Sequence, residues 1–178
     1  AAKGLIRTKG GIGSFVTYGG AVIDSGSGWS LSLADGRARL GTRILRIARL
    51  TMDLDDPAPQ GEMLAVDRIR FREETGQGLT LERARVPWRD DYEAVLSEGL
   101  DGGSLSRTLA ARGLSPATGE EWANVLCALP AGDAALMGRR AGEPMLRLRR
   151  LTRDSHGGLF EYVESVLDPE VFGLHMEF

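Results

Sequence analysis

Apolar and polar residues alternate along two stretches of the chain, each folded back by a glycine-bearing turn. The first reads G-E-M-L-A-V-D-R-I-R-F-R, then E-T-G-Q-G, then L-T-L-E-R-A-R-V-P. The second reads G-E-P-M-L-R-L-R-R-L-T-R, then D-S-H-G-G, then L-F-E-Y-V-E-S-V-L. Period-two alternation interrupted by Gly, Asp and Ser predicts antiparallel hairpins. A further strand precedes each hairpin: T-R-I-L-R-I-A-R-L-T-M in one case, E-E-W-A-N-V-L-C-A-L-P in the other. A helical segment precedes each of those strands, over residues 31–40 and over S-L-S-R-T-L-A-A-R-G. D-A-A-L-M predicts a short helix before the second hairpin. In the first copy D-L-D-D-P-A-P-Q takes its place, because two prolines oppose helix interior geometry.

The order helix, strand, connection, hairpin therefore occurs twice. By eye Gly61 and Glu62 align with Gly142 and Glu143, Met63 and Leu64 with Met145 and Leu146, Arg68 with Arg150, and Glu82 with Glu161. Such repetition predicts an α+β domain with a mostly antiparallel sheet and helices on one face.

Strand alternation also groups the side chains that carry chemistry. Arg68 and Arg70 share a face with Leu64 and Val66, since residues two apart point the same way. Two guanidiniums beside an apolar stretch suit either a clamp for phosphate, phosphonate or carboxylate, or a solvated edge face. Glu82 shares its face with Thr80, Ala84 and Val86; Glu161 shares its own with Leu159, Val163 and Ser165. A carboxylate on such a face needs a partner. That partner is either an internal arginine such as Arg150, or a ligand hydroxyl or amine. Ser104 is placed to cap the helix that ends at Gly113, and a helix start also offers free N–H groups to an anion. Ser30 begins a similar segment.

Charge divides the chain. Lys3, Arg7 and Lys9 precede any acid, the first carboxylate is Asp24, and the whole carries a net charge of -3. A basic, glycine-rich hairpin ahead of an acidic domain points to a nucleic-acid contact joined to a separate module. Residues 1–16 form that hairpin, the Gly/Ser-rich residues 17–28 a linker, and residues 29–178 the main domain. No apolar run reaches membrane-spanning length. Cys127 is the one cysteine and sits in the apolar run N-V-L-C-A-L-P, which predicts a buried, inert thiol in a reducing cytoplasm.

The segment G-L-I-R-T-K-G-G-I-G-S-F-V resembles the wing of the winged helix-turn-helix in GntR-family bacterial regulators. The order M-L-A-V-D-R-I-R, Glu82, S-L-S-R-T-L, P-M-L-R-L-R-R, E-Y-V-E-S-V resembles the UTRA domain of the HutC branch of that family. The resemblance implies a chorismate-lyase-like fold, a small anionic effector (sugar phosphate, phosphonate or carboxylate), and a homodimer. It also implies operator DNA as partner through an upstream domain, with Arg7 and Lys9 near phosphates. By the same resemblance Arg68, Arg70, Glu82, Ser104, Glu161 and Ser30 become effector-site residues. Leu167 stands where the family usually has an aromatic residue, which weakens transfer of sugar-phosphate specificity.

Other chemistry is sparse. His156 and His175 lack a second histidine at ligand spacing, so no zinc site is expected. No nucleophile elbow or Ser/His/Asp set assembles, and no catalytic residue or cofactor is expected. Asp53, Asp55 and Asp56 run into Pro57 without calcium-loop spacing and read as a solvated turn. The rival to a regulatory domain is an enzyme of the chorismate-lyase-like fold acting on an aromatic carboxylate.

Overall fold

The structure is a computed structural model that describes residues 6–9, 13–18, 21–23, 40–55 and 60–172. Its centre is a six-stranded antiparallel sheet of β4 (Leu40–Thr51), β5 (Glu62–Arg72), β6 (Gly78–Pro87), β7 (Thr118–Leu126), β8 (Met145–Arg153) and β9 (Leu159–Leu167). The strands lie in the order β4-β5-β6-β9-β8-β7. The first three and the last three thus form mirror-ordered halves that meet where β6 pairs with β9. The antiparallel sheet is what the internal repeat predicts.

The hairpin turns follow from local chemistry. Between β8 and β9 the Asp154 carboxylate accepts hydrogen bonds from the backbone N–H of His156 at 2.8 Å and of Gly158 at 2.9 Å. An aspartate bonding the backbone just beyond itself stabilises a tight reversal. Between β5 and β6, Gly76 takes a positive φ of 71°.

Three α-helices lie among the described residues: α1 (Glu93–Glu98), α2 (Leu105–Ala110) and α3 (Ala131–Met137). Val95, Leu105 and Leu109 from α1 and α2 pack with Leu64, Val66, Ala84, Val86 and Val163. Each of these valine and leucine side chains taken from water stabilises the fold by about 1.5–3 kcal/mol. α3 instead sets Ala134 and Met137 against Ile69, Leu81 and Val166, the alternate positions of the same strands. The helices therefore cover both faces rather than one, because α3 presents its own apolar stripe to the row of Ile69, Leu81 and Val166. Gly78 admits this approach, since a Cβ there would lie 2.8 Å from the Met137 Cα.

Several expectations change. Cys127 is exposed, not buried, because it lies just past the end of β7, an edge strand whose residues are mostly exposed. Asp53 is not a free turn residue. It accepts hydrogen bonds from Arg85 Nε at 2.6 Å and Arg46 Nη2 at 2.9 Å, within a network that also includes Asp67. Arg85 is fully buried there, and Asp53 and Asp67 together balance its charge and that of Arg46. The stretch read as a linker carries strand: β2 (Gly13–Tyr18) pairs antiparallel with β1 (Ile6–Lys9) and with β3 (Ala21–Ile23). The helix expected over residues 31–40 lies outside the described residues, except for Leu40, which opens β4.

Among the described residues no helix is long and apolar enough to cross a membrane, and no group of His, Cys, Asp and Glu is gathered to hold a metal.

Candidate functional site

Strand register assembles the predicted residues on the face that α1 and α2 cover. Arg68 stands opposite Glu82, and Glu82 opposite Ser165 on β9. One step along the strands, Arg70 stands opposite Thr80, and Thr80 opposite Leu167. From the other half of the sheet, Arg150 stands opposite Val163, and Thr152 opposite Glu161. Each half contributes one arginine–glutamate pair.

The two pairs differ in geometry. Arg68 donates from Nε to Glu82 Oε1 at 2.7 Å, and its Nη2 donates to the same oxygen. Arg70 Nη1 lies 3.6 Å from Glu82 Oε2. Arg150 Nη2 reaches diagonally to Glu161 Oε2, also at 3.6 Å. Three guanidiniums thus face these two carboxylates, and Glu121 on β7, directly opposite Arg150, adds a third. Arg70 Nη1, Arg150 Nε and Thr80 Oγ1 are buried without any hydrogen-bond partner. A buried donor left unpaired costs about 1–3 kcal/mol, which a bound acceptor restores.

Electrostatics separates the two glutamates. Burial pushes the Glu82 carboxyl up, but Arg68 and Arg70 outweigh it and hold the group below the usual carboxylate range. Burial also pushes Glu161 up. Arg150 opposes that shift only in part, and the charge on Glu82 adds to it, so Glu161 ends above its ordinary value. The Arg70 guanidinium is lowered, first by burial and then by Arg68, with Glu82 acting against both. The arrangement can hold an anion at its arginines and a hydrogen-bond donor at Glu161.

The remaining predicted residues stand apart. The Ser104 hydroxyl accepts a hydrogen bond from the Arg107 backbone N–H at 3.3 Å and caps α2. Its backbone carbonyl accepts from Thr108 Oγ1. Ser30 lies outside the described residues. Arg7 and Lys9 lie in β1, opposite Phe15 and Gly13. Sequence reasoning placed Thr80 beside Glu82 without giving it a role; the signal was the hydroxyl two positions before a buried acid. A separate cavity of about 400 Å³ opens between the end of β6, the loop after α2 and the β8–β9 turn. Val86, Tyr92, Leu114, Asp154, His156 and Phe160 are among its walls, and none of the predicted effector residues is.

The UTRA domain family matches residues 38–172. Solved structures with the same fold include the effector domain of PhnF from Mycobacterium smegmatis. It is 24% identical with a TM-score of 0.61, over 79% of this chain and 88% of that one. The C-terminal domain of the histidine utilization repressor from Pseudomonas syringae pv. tomato is 15% identical with a TM-score of 0.62, over 79% of this chain and 99% of that one. A GntR-family transcriptional regulator from Bacillus cereus is 15% identical with a TM-score of 0.60, over 78% of this chain and 98% of that one. A comparison with curated proteins finds no match.

Proposed function

We propose, from the premise that this chain belongs to the UTRA domain family, that it is the effector-binding domain of a cytoplasmic GntR-type transcription regulator of the HutC branch. It is a sensor and not an enzyme. A small anionic metabolite binds at Arg68 and Arg70, with Glu82 holding both arginines in place and Glu161 accepting a hydrogen bond from the far side of the ligand. The observation that carries this reading is the cluster in which Arg68 and Arg70 share the one carboxylate of Glu82, Arg150 faces Glu161, and Arg70 Nη1 is buried without a hydrogen bond.

In this reading residues 1–16 are the wing of a DNA-binding domain, and Arg7 and Lys9 meet operator phosphates. The main domain begins near residue 29. Two copies pair, and β7 supports this as a sheet edge that carries the exposed Val125. The ligand biases DNA affinity by favouring one disposition of the pair over another.

The test is a thermal-shift and calorimetric screen of sugar phosphates, phosphonates and carboxylates against the wild-type chain and Arg70→Gln. Hits that bind the variant as tightly as the wild type would remove the arginines from the site.

A further inference from the structure

We infer that the anionic group received at this site is the carboxylate of a small monoanion, seated between Arg70 and Thr80, and not a phosphoryl group. The inference rests on the effector-site reading above and narrows it.

Three observations carry it. First, Arg68 turns Nε and Nη2 onto one oxygen of Glu82, so its side-on edge is closed to a phosphate. Second, among the described residues the buried donors without a hydrogen bond at this end are Arg70 Nη1, whose 3.6 Å contact with Glu82 is an ion pair only, and Thr80 Oγ1, and the two residues stand directly opposite in the β5–β6 register. Arg70 is 5% exposed and Thr80 1% exposed, so both are held in place. Beyond Thr80 the same row continues with Leu167 and then Leu146, which offer no donor. Before Arg70 it ends at Thr42, which is exposed on the edge strand β4. Two adjacent donors match the two oxygens of a planar carboxylate; a tetrahedral phosphoryl group presents three oxygens and needs more. Third, among the described residues the ion pairs of Arg68 and Arg70 both run to the one carboxylate of Glu82, which leaves one positive charge on this stretch of β5 and β6. A monoanion balances that charge and a dianion exceeds it. Both unpaired atoms are closed off from solvent, so a ligand reaches them after the surrounding wall opens.

The experiment compares thermal midpoints of the whole chain in acetate and benzoate with those in phosphate and methylphosphonate, at matched ionic strength against chloride. Wild type, Thr80→Val and Arg70→Gln are run in parallel. The expected result is a saturable rise in the carboxylates, at concentrations at least 10-fold below any effect of the phosphoryl anions. That rise weakens about 10-fold in Thr80→Val and vanishes in Arg70→Gln. A stronger rise in phosphate or methylphosphonate, lost in Arg70→Gln, overturns the carboxylate assignment and leaves the anion site standing. A carboxylate effect that Thr80→Val leaves unchanged removes Thr80 from the seat. No Arg70-dependent response to any of the four anions overturns the effector-site reading itself.

Discussion

Glu82 and Glu161 sit on adjacent strands of one sheet, yet their carboxyls move in opposite directions: Glu82 is held below the usual range and Glu161 above it. Burial acts on both; the difference is that Glu82 is gripped by two guanidiniums and Glu161 by one at longer range.

The pH consequences have opposite signs. A lowered pKa means that Glu82 contributes stability above the ordinary carboxylate range and loses it as pH falls through its folded value. A raised pKa means that Glu161 costs nothing below the ordinary range, and that its full cost is present once pH exceeds its folded value. Glu161→Gln should therefore melt higher than wild type at pH 8 and level with it at pH 4. Glu82→Gln should lose about 3–5 kcal/mol at pH 8, because Arg68 and Arg70 are left uncompensated. Thermal unfolding at several pH values checks both, and a Glu161→Gln variant less stable than wild type at pH 8 contradicts the assignment.

Arg85 is a second such case, on the other face. It is fully buried between Asp53 and Asp67, so Arg85→Met should cost about 3–5 kcal/mol in urea unfolding. Arg140→Met, at a side chain 88% exposed, should stay within about 0.5 kcal/mol.

Two glycines give opposite outcomes on replacement by alanine. At Gly78 the added methyl meets the Met137 backbone, and Gly78→Ala should lose about 1–3 kcal/mol by pushing α3 off the sheet. At Gly132, inside α3 with open space around it, Gly132→Ala should gain up to about 1 kcal/mol. Chemical denaturation of the two variants side by side measures the contrast.

The hairpins were legible because alternation, turn residues and length all agree over β5–β6 and β8–β9. The duplication was legible through Arg68 and Arg150, which close the same kind of ion pair in each half. α1 was not legible, because E-A-V-L-S-E is too short to show a helical period. The second helix face escaped for a different reason. D-A-A-L-M shows a helix, but nothing local shows which side of a sheet it will meet. Asp53 read as solvated because its arginine partner Arg85 lies 32 residues away. Cys127 read as buried because apolar neighbours signal burial equally in a central strand and at an edge.

Ser104 separates a capping role from a ligand role. Its hydroxyl already bonds the Arg107 N–H, so Ser104→Ala should lose about 1 kcal/mol of stability while leaving Arg70-dependent anion binding unchanged. Loss of binding at full stability would return Ser104 to the effector site.

Cys127 is exposed, so the folded protein should react with a thiol reagent as fast as the unfolded chain does, with one thiol titrated. Strong protection in the native state would place a partner over the end of β7.

The two halves of the main sheet join along a single seam, β6 against β9, with one arginine–glutamate pair on either side of it. A molecule that touches Arg70 on one leaf and Glu161 on the other behaves as a clasp across a folded card. By joining the two leaves it ties the movements of one to those of the other.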